Sequence, residues 1–303
     1  VAVPQVKRRY VKRYKMRSIG VFIIAVMVMA SVGCSKNQNY AKPTKDVADT
    51  FPIKAKPVKE NPQSAESSGP YAIIHTTAGD ITVLLYSEEA PKAVENFIAL
   101  AESGYYEDSL FRYVVRESIV QGGTPADGNE TSSFGEAFED EFSDNLHHFH
   151  GALSMANEGI NTNESQFFFV ASEKIPEDEQ LIRANMRMNE LVHEGNQELN
   201  DKARESTLSE EEIAEFEQKL NQKIQGIKDG IPEEEMKRYQ QAVEKYMEVG
   251  GLYHLDYSNT VFGQVVKGLN VVDSMSRVLV SAEDRKPKQD IKINSIEIVD
   301  NLK

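Results

Sequence analysis

Residues Gly151 to Val170 read GALSMANEGINTNESQFFFV, and Gln121-Gly122-Gly123 stands thirty residues upstream. The run joins an apolar strand start at Ala152 and Leu153, a polar turn from Gly159 to Ser165 and an aromatic strand from Phe167 to Val170. Successive side chains on a strand point to opposite faces, so Phe168 must face away from Phe167 and Phe169. One phenylalanine is thereby set apart from two that share a face, and Met155 is expected in the core.

Short strand signals surround this run. Tyr71 to Thr76 and Ile81 to Tyr86 are β-rich and split by Ala78-Gly79-Asp80, a hairpin signal. Pro91 suits the first turn of a helix whose apolar face is Ala93, Val94, Phe97, Ile98 and Leu100, ending at Gly104. Leu110 to Val115, Gly151 to Ala156, Gln166 to Ala171, Asn259 to Val266 and Ile291 to Ile298 read as further strands, with a short helix from Val271 to Arg277. Pairing the last strand with the first would remove sheet edges. Many short antiparallel strands with two helices suggest a closed barrel capped at its ends, and the pattern alone leaves an all-β or an α+β protein open.

From 176 to 250 the strand signal vanishes and Glu, Gln, Lys, Asn and Arg dominate. A helix is expected over Glu177 to Glu194. Ser209-Glu-Glu-Glu212 is a capping-box start, followed by Ile213, Phe216, Leu220, Ile224 and Ile227 at helical spacing. Ile231-Pro232 opens a further helix striped by Met236, Tyr239, Val243, Tyr246 and Met247, stopped by Gly250-Gly251. This stretch reads as a helical hairpin or three-helix insertion in a β domain.

The chain has 303 residues, 40% hydrophobic and 27% charged, which is globular composition mixed with a polar segment. Residues 1–33 hold seven basic side chains and no acid, so the net charge of −14 leaves −21 on the remainder. So acidic a body lacks the cations that displace counterions from nucleic acid, and no nucleic-acid partner is expected. The basic stretch precedes an apolar run, Ile19 to Val32, fourteen residues long and therefore short for a membrane span but suited to a secretory signal. Ser31-Val32-Gly33-Cys34 ends it with small residues before the only cysteine. The expected organisation is a signal over 1–33, with translation starting at Met16, a flexible tether over 34–69 poor in large apolar groups, and a folded body over 70–303.

Several of these segments carry a family resemblance. Ala90-Pro91 with Asn96-Phe97, Gly104-Tyr105-Tyr106, Phe111, Gln121-Gly122-Gly123, the 151–170 run, and Leu255-Asp256 with Val261-Phe262-Gly263 occur in an order that resembles the cyclophilins, the peptidyl-prolyl cis-trans isomerases. The likeness runs from about Tyr71 to Val299, interrupted by the insertion. It sharpens the fold expectation to a mainly β protein, a closed eight-stranded antiparallel barrel. It also implies isomerase activity on X-Pro bonds of unfolded or proline-containing polypeptides, without cofactor or metal. By the same resemblance, Ile119, Phe168 and Leu255 match the apolar proline pocket, Gln121 and Asn157 the amides that hold the substrate, and Ala156 and Gln166 the groove wall. The region around Cys34 resembles a bacterial lipoprotein signal. It implies a lipid-bearing Cys34 and a protein anchored to a membrane of the cell envelope, facing the periplasm or exterior, although Ser31 stands where leucine is usual.

The chain departs from the family at several places. The family's Phe-His-Arg strand, whose arginine donates to the prolyl nitrogen, falls on Phe111, Arg112 and Tyr113. The catalytic position is thus Tyr113, while Arg112 would reach the groove only through a bulge and Arg116 only from the following loop. A groove phenylalanine becomes Ser118, the family's histidine falls on Asn259 and its tryptophan on His254. Weakened catalysis is therefore expected. The alternative is a proline-peptide-binding or chaperone module that does not turn over. A metal at His147, His148 and His150 would need a companion carboxylate and a tight turn, and none is expected there; the acids Glu139, Asp140 and Glu141 read as a solvated loop.

Overall fold

A computed structural model of the protein describes residues 69–302, apart from 126, 127, 129, 175, 177, 206 and 207. The signal and lipidation expectations, Cys34 among them, lie outside the described residues, as does nearly all of the tether. Eight strands form one antiparallel sheet: β1 (Tyr71–Thr76), β2 (Gly79–Leu85), β3 (Tyr113–Val115), β4 (Ile119–Gly122), β5 (Ala152–Met155), β6 (Phe167–Val170), β7 (Val261–Lys267) and β8 (Ile293–Val299). Their order is β3-β4-β6-β5-β7-β2-β1-β8. The last strand pairs with the first as the sequence suggests, Tyr71 opposite Val299. Strand β4 was not expected, because Gln121-Gly122-Gly123 taken alone reads as a turn.

The expected closed barrel is corrected. Strands β3 and β8 are the edges of the order, and no ladder joins them among the described residues. The edges approach through an isolated bridge, Leu110 to Lys292, and through three backbone bonds, Asp108 N–H to the Ile293 carbonyl, Ile293 N–H to the Ser109 carbonyl and Phe111 N–H to the Ile291 carbonyl, each 2.9 Å. Asp108 takes a left-handed φ of 60° at the start of this approach.

Helix α1 (Pro91–Glu102) starts with its proline in the first turn and buries Ala93, Val94, Phe97 and Leu100. There Phe97 meets Phe167 and Phe262, with ring centroids 5.5 Å apart in both pairs. These rings join Ile74, Ile81, Val83, Phe111, Met155 and Phe169 in one core on the inner face of the sheet. The insertion holds four helices, α2 (Glu179–Glu205), α3 (Glu210–Asp229), α4 (Glu233–Arg238) and α5 (Gln240–Val249), where two or three were expected. The capping box at Ser209 and Glu212 forms as the sequence predicts. The last expected helix is split at Tyr239, whose hydroxyl is drawn to Glu190 on α2. Helix α6 (Leu269–Ser276) follows β7. No helix among the described residues is long and apolar enough to cross a membrane.

After α5 the chain turns back at Gly251, which has φ +136° and whose missing Cβ would lie 2.4 Å from the His148 carbonyl oxygen. Both facts demand glycine. Gly251→Ala is expected to destabilise the protein by about 1–3 kcal/mol, read as a lowered urea midpoint at unchanged slope.

Candidate active site

Strand pairing sets one row of side chains across the outer face of the sheet. Tyr113 is opposite Gln121, Gln121 opposite Phe168, Phe168 opposite Ser154, and Ser154 opposite Val261. Directly paired residues share a face, so Tyr113, Gln121 and Phe168 lie along one strip. Phe168 packs there with Ala152, Val170, Leu252 and Val261, and Ile119, Ala156, Leu146 and Leu255 lie partly buried against them. The apolar groove residues expected from sequence therefore gather in a single outer cluster. Phe168 is only 4% exposed, so it forms the floor of that cluster.

The polar residues frame it. Gln121 Nε2 donates to Gln166 Oε1 at 2.7 Å, and Gln166 Nε2 donates to Glu130 at 2.7 Å. This chain of amides leaves the Gln121 side-chain oxygen, Oε1, as an acceptor on the strip. Asn157 behaves differently, since its Nδ2 donates to the Ser258 carbonyl at 3.0 Å and to Asp140 at 3.3 Å. Its amide nitrogen ties two loops together. Asn259 Nδ2 donates to the Met155 carbonyl at 3.0 Å, and His254 is exposed on the 3₁₀ turn Tyr253–Leu255.

The residues around the family's arginine position show a bulge. Tyr113 is the residue paired with Gln121, yet the Arg112 N–H also donates to the Gln121 carbonyl, at 3.0 Å. Two successive residues facing one is the bulge signature, and it cancels the alternation that would send Arg112 to the far face. Arg112 is half-buried, and its Nε is buried without a hydrogen-bond partner. Tyr113 is 39% exposed, and the Arg116 guanidinium lies beside the Arg277 carbonyl, 3.5 Å away.

Sequence reasoning missed the support beneath Phe168. The His148 ring stacks on Phe168 with centroids 6.0 Å apart and planes 12° from parallel. His148 Nε2 lies 3.0 Å from Ser154 Oγ, and its Nδ1 lies 2.8 Å from Asp256 Oδ1. His147 Nδ1 is 2.9 Å from Asp256 Oδ2, and the Tyr246 hydroxyl reaches both carboxylate oxygens at 2.9 and 3.0 Å. A Ser–His–Asp order can serve acyl transfer. Here Ser154 is fully buried and donates to the Thr260 carbonyl at 3.0 Å, so it offers no substrate face. The available signal was two adjacent histidines just ahead of β5, but their partner lies more than a hundred residues away.

Burial alone would raise the Asp256 pKa. The His147 charge and the bonds from His147 and His148 outweigh it and hold the carboxyl well below the ordinary range. Burial pulls the His147 imidazole down, but the Asp256 charge, their hydrogen bond and the Asp144 carbonyl more than offset this and raise it. His150, which the sequence reading set aside with these two, lies near Glu173 and Asp273 in a group that could offer ligands to a metal. Its Nε2 contacts Asp273 at 2.7 Å, and Glu173 pairs with Arg277 at 3.0 Å.

Comparison with known proteins fits this geometry. The family model for cyclophilin type peptidyl-prolyl cis-trans isomerases matches residues 71–298. A candidate peptidyl-prolyl cis-trans isomerase of Staphylococcus saprophyticus is 36% identical over 231 residues, covering 75% of this chain and 91% of that protein. A candidate bifunctional phosphatase/peptidyl-prolyl cis-trans isomerase of Streptococcus pyogenes is 36% identical over 238 residues. The alignment covers 77% of this chain and only 39% of that longer protein. A cyclophilin type isomerase from Cryptosporidium parvum, solved by crystallography, shares 23% identity with a TM-score of 0.48, covering 77% of this chain and 98% of that one. The chain belongs to the cyclophilin-type peptidyl-prolyl cis-trans isomerase family.

The Asp256 centre predicts a pH dependence of stability. The raised His147 value adds stability that is complete below about pH 6.5 and is lost as pH rises through its folded pKa. The lowered Asp256 value adds stability that is complete above about pH 4 and is lost as pH falls through its folded pKa. Urea midpoints of the full chain should therefore be highest between those limits, and Asp256→Asn should flatten both flanks. Equal flanks in parent and variant would rule the linkage out.

Proposed function

We infer that this cyclophilin-type chain catalyses cis-trans exchange of X-Pro peptide bonds in extended or unfolded polypeptides, with turnover below that of arginine-bearing relatives. Rotation about an amide faces a barrier of about 18–20 kcal/mol because resonance is lost, and X-Pro bonds exchange in tens to hundreds of seconds unaided. No bond breaks, so the protein has only to bind the twisted amide better than the planar forms. The observation that carries the reading is the outer cluster of Ile119, Ala156, Phe168 and Leu255 beside the strip that ends in Gln121 and Tyr113. The cluster offers the proline ring an apolar seat. The Gln121 amide can hold the flanking backbone.

The prolyl nitrogen gains a lone pair as the amide twists and needs a donor. Arg112 supports that role best, because the bulge brings it towards the strip and its buried Nε lacks a partner. Tyr113 offers a second, neutral donor. Loss of one well-aimed donor in an active site lowers rates by roughly 10²–10³. Recovery through a displaced arginine would be partial, and Ser118 makes the pocket shallower than a phenylalanine would.

The clients we propose are exported proteins, met at the membrane. The basic, apolar and small-residue order ahead of Cys34 supports removal of residues 1–33 as a signal, and acylation of that cysteine. Residues 34–69 would then serve as the tether. Labelled palmitate should enter the full chain in its bacterial host and be absent from Cys34→Ala. Equal labelling of the two would refute the anchor.

Exchange of an Ala-Pro peptide, followed by NMR, tests the activity. Phe168→Ala and Arg112→Ala should each lower kcat/KM by about tenfold or more, and Tyr113→Arg should raise it by about tenfold. A parent that binds the peptide without accelerating exchange would instead establish the non-catalytic binding module that Tyr113 and Ser118 favour.

A further inference from the structure

The segment 252–259 brings Leu252 and Leu255 into the Phe168 cluster, and the inserted helices bond to it. Asn189 of α2 donates through Nδ2 to the backbone carbonyls of His254, at 2.8 Å, and Asp256, at 3.0 Å. Tyr246 of α5 donates to the Asp256 carboxylate. Tyr257 and Arg238 of α4 meet on Asp144, each at 2.8 Å, and His193 of α2 packs edge-on against Phe142 with centroids 4.5 Å apart. Tyr246 is also buried against Phe149, Ile182, Met186 and Val243, a second apolar core that the insertion shares with the strand approach. Both ends of the insertion run directly into groove-bearing segments, β6 with Phe168 on one side and the Leu255 turn on the other.

We propose that the insertion is part of the site machinery, with Tyr246 and Asn189 as positioning residues that fix the wall formed by 253–259 against the Phe168 floor. The proposal rests on the isomerase reading for its consequence in turnover but not for its structural content. Asp256 transmits the constraint. It is the neighbour of Leu255 in sequence, accepts from Tyr246, and lies against His148, which stacks on Phe168. The inserted helices, the wall and the floor are thereby joined through one buried carboxylate. A peptide seated between wall and floor would feel loss of the Tyr246 hydroxyl as weaker binding, so KM should carry more of the effect than kcat.

The test uses the full chain, Tyr246→Phe, Asn189→Ala, Leu255→Ala and the double variant Tyr246→Phe/Leu255→Ala. Tyr246→Phe keeps the ring and its packing and removes only the hydroxyl. Hydrogen exchange of the 253–259 amides should quicken by about tenfold in Tyr246→Phe and in Asn189→Ala, while β1 and β2 amides keep their parental rates. In peptide exchange, Tyr246→Phe should lower kcat/KM by about fivefold, mostly through KM, and by less than about twofold once Leu255 is alanine. A general loss of stability would act equally in both backgrounds, and that result would overturn the proposal. So would 253–259 exchange unchanged from the parent, or exchange that quickens with kcat/KM unmoved. A parent with no turnover would sink the isomerase reading instead, and the hydrogen-exchange comparison would then decide alone whether the insertion holds the wall.

Discussion

Alternation along β6 is the constraint on which the rest depends. Phe167 and Phe169 enter the inner core with Phe97, Phe111 and Phe262, and Phe168 is forced to the outer face. A slip of one residue would send two rings out and one in, losing the core and the groove floor together. The register is held from both sides, by Gln121 opposite Phe168 on β4 and Ser154 opposite Phe168 on β5. Gly122 and Gly123 are part of the same lock. A Cβ at Gly122 would lie 2.8 Å from the Phe111 ring, and one at Gly123 would lie 2.6 Å from the Ser165 carbonyl oxygen. The glycine pair thus lets β4 come close enough to fix where Phe168 points.

What the sequence made legible follows from how local each signal is. The β1–β2 hairpin, Pro91 opening α1, the Ser209 capping box and the Phe167–Phe169 alternation all depend on residues within one or two turns of each other. They appear in the structure within a few residues of where they were expected. Strand β4 was hidden because its identity rests on partners at 113–115 and 167–170 and not on its own four residues. The break at Tyr239 has no glycine or proline to mark it, and the partner of its hydroxyl, Glu190, lies in another helix. Barrel closure failed as an expectation for a related reason. A few bonds between 108–111 and 291–293 stand in place of a β3–β8 ladder, and contacts so far apart in the chain leave no periodic trace.

The candidate site divides in the same way. Its apolar members sit on strands or beside them, and a family resemblance could place them one by one. The electrostatics beneath them could not be placed, because Asp256 finds His147 and His148 across 108–109 residues and Tyr246 from within the insertion. Adjacent histidines usually suggest solvent or metal. Here both turn their Nδ1 atoms to one carboxylate that is 2% exposed. A charge so placed is tolerable only while its partners stay, since an uncompensated buried ion costs several kcal/mol.

That dependence bears on how an insertion of more than seventy residues can sit inside a small β domain. Loop-closure entropy rises only slowly with length, so the sheet loses little by carrying it. The cost of a loosely attached insertion would fall instead on Asp256. If α5 withdrew, the carboxylate would lose the Tyr246 donor and one wall of its dry surroundings, and water would enter beside the Phe168 floor. Asn189 adds a second tie that does not pass through any charge, since it holds two backbone carbonyls that would otherwise need water. The two ties differ in character. One is electrostatic and sensitive to pH, the other is neutral and geometric. Together they make the helices and the groove wall more nearly one rigid piece than two domains in contact, and the shape presented to a peptide is then set by both.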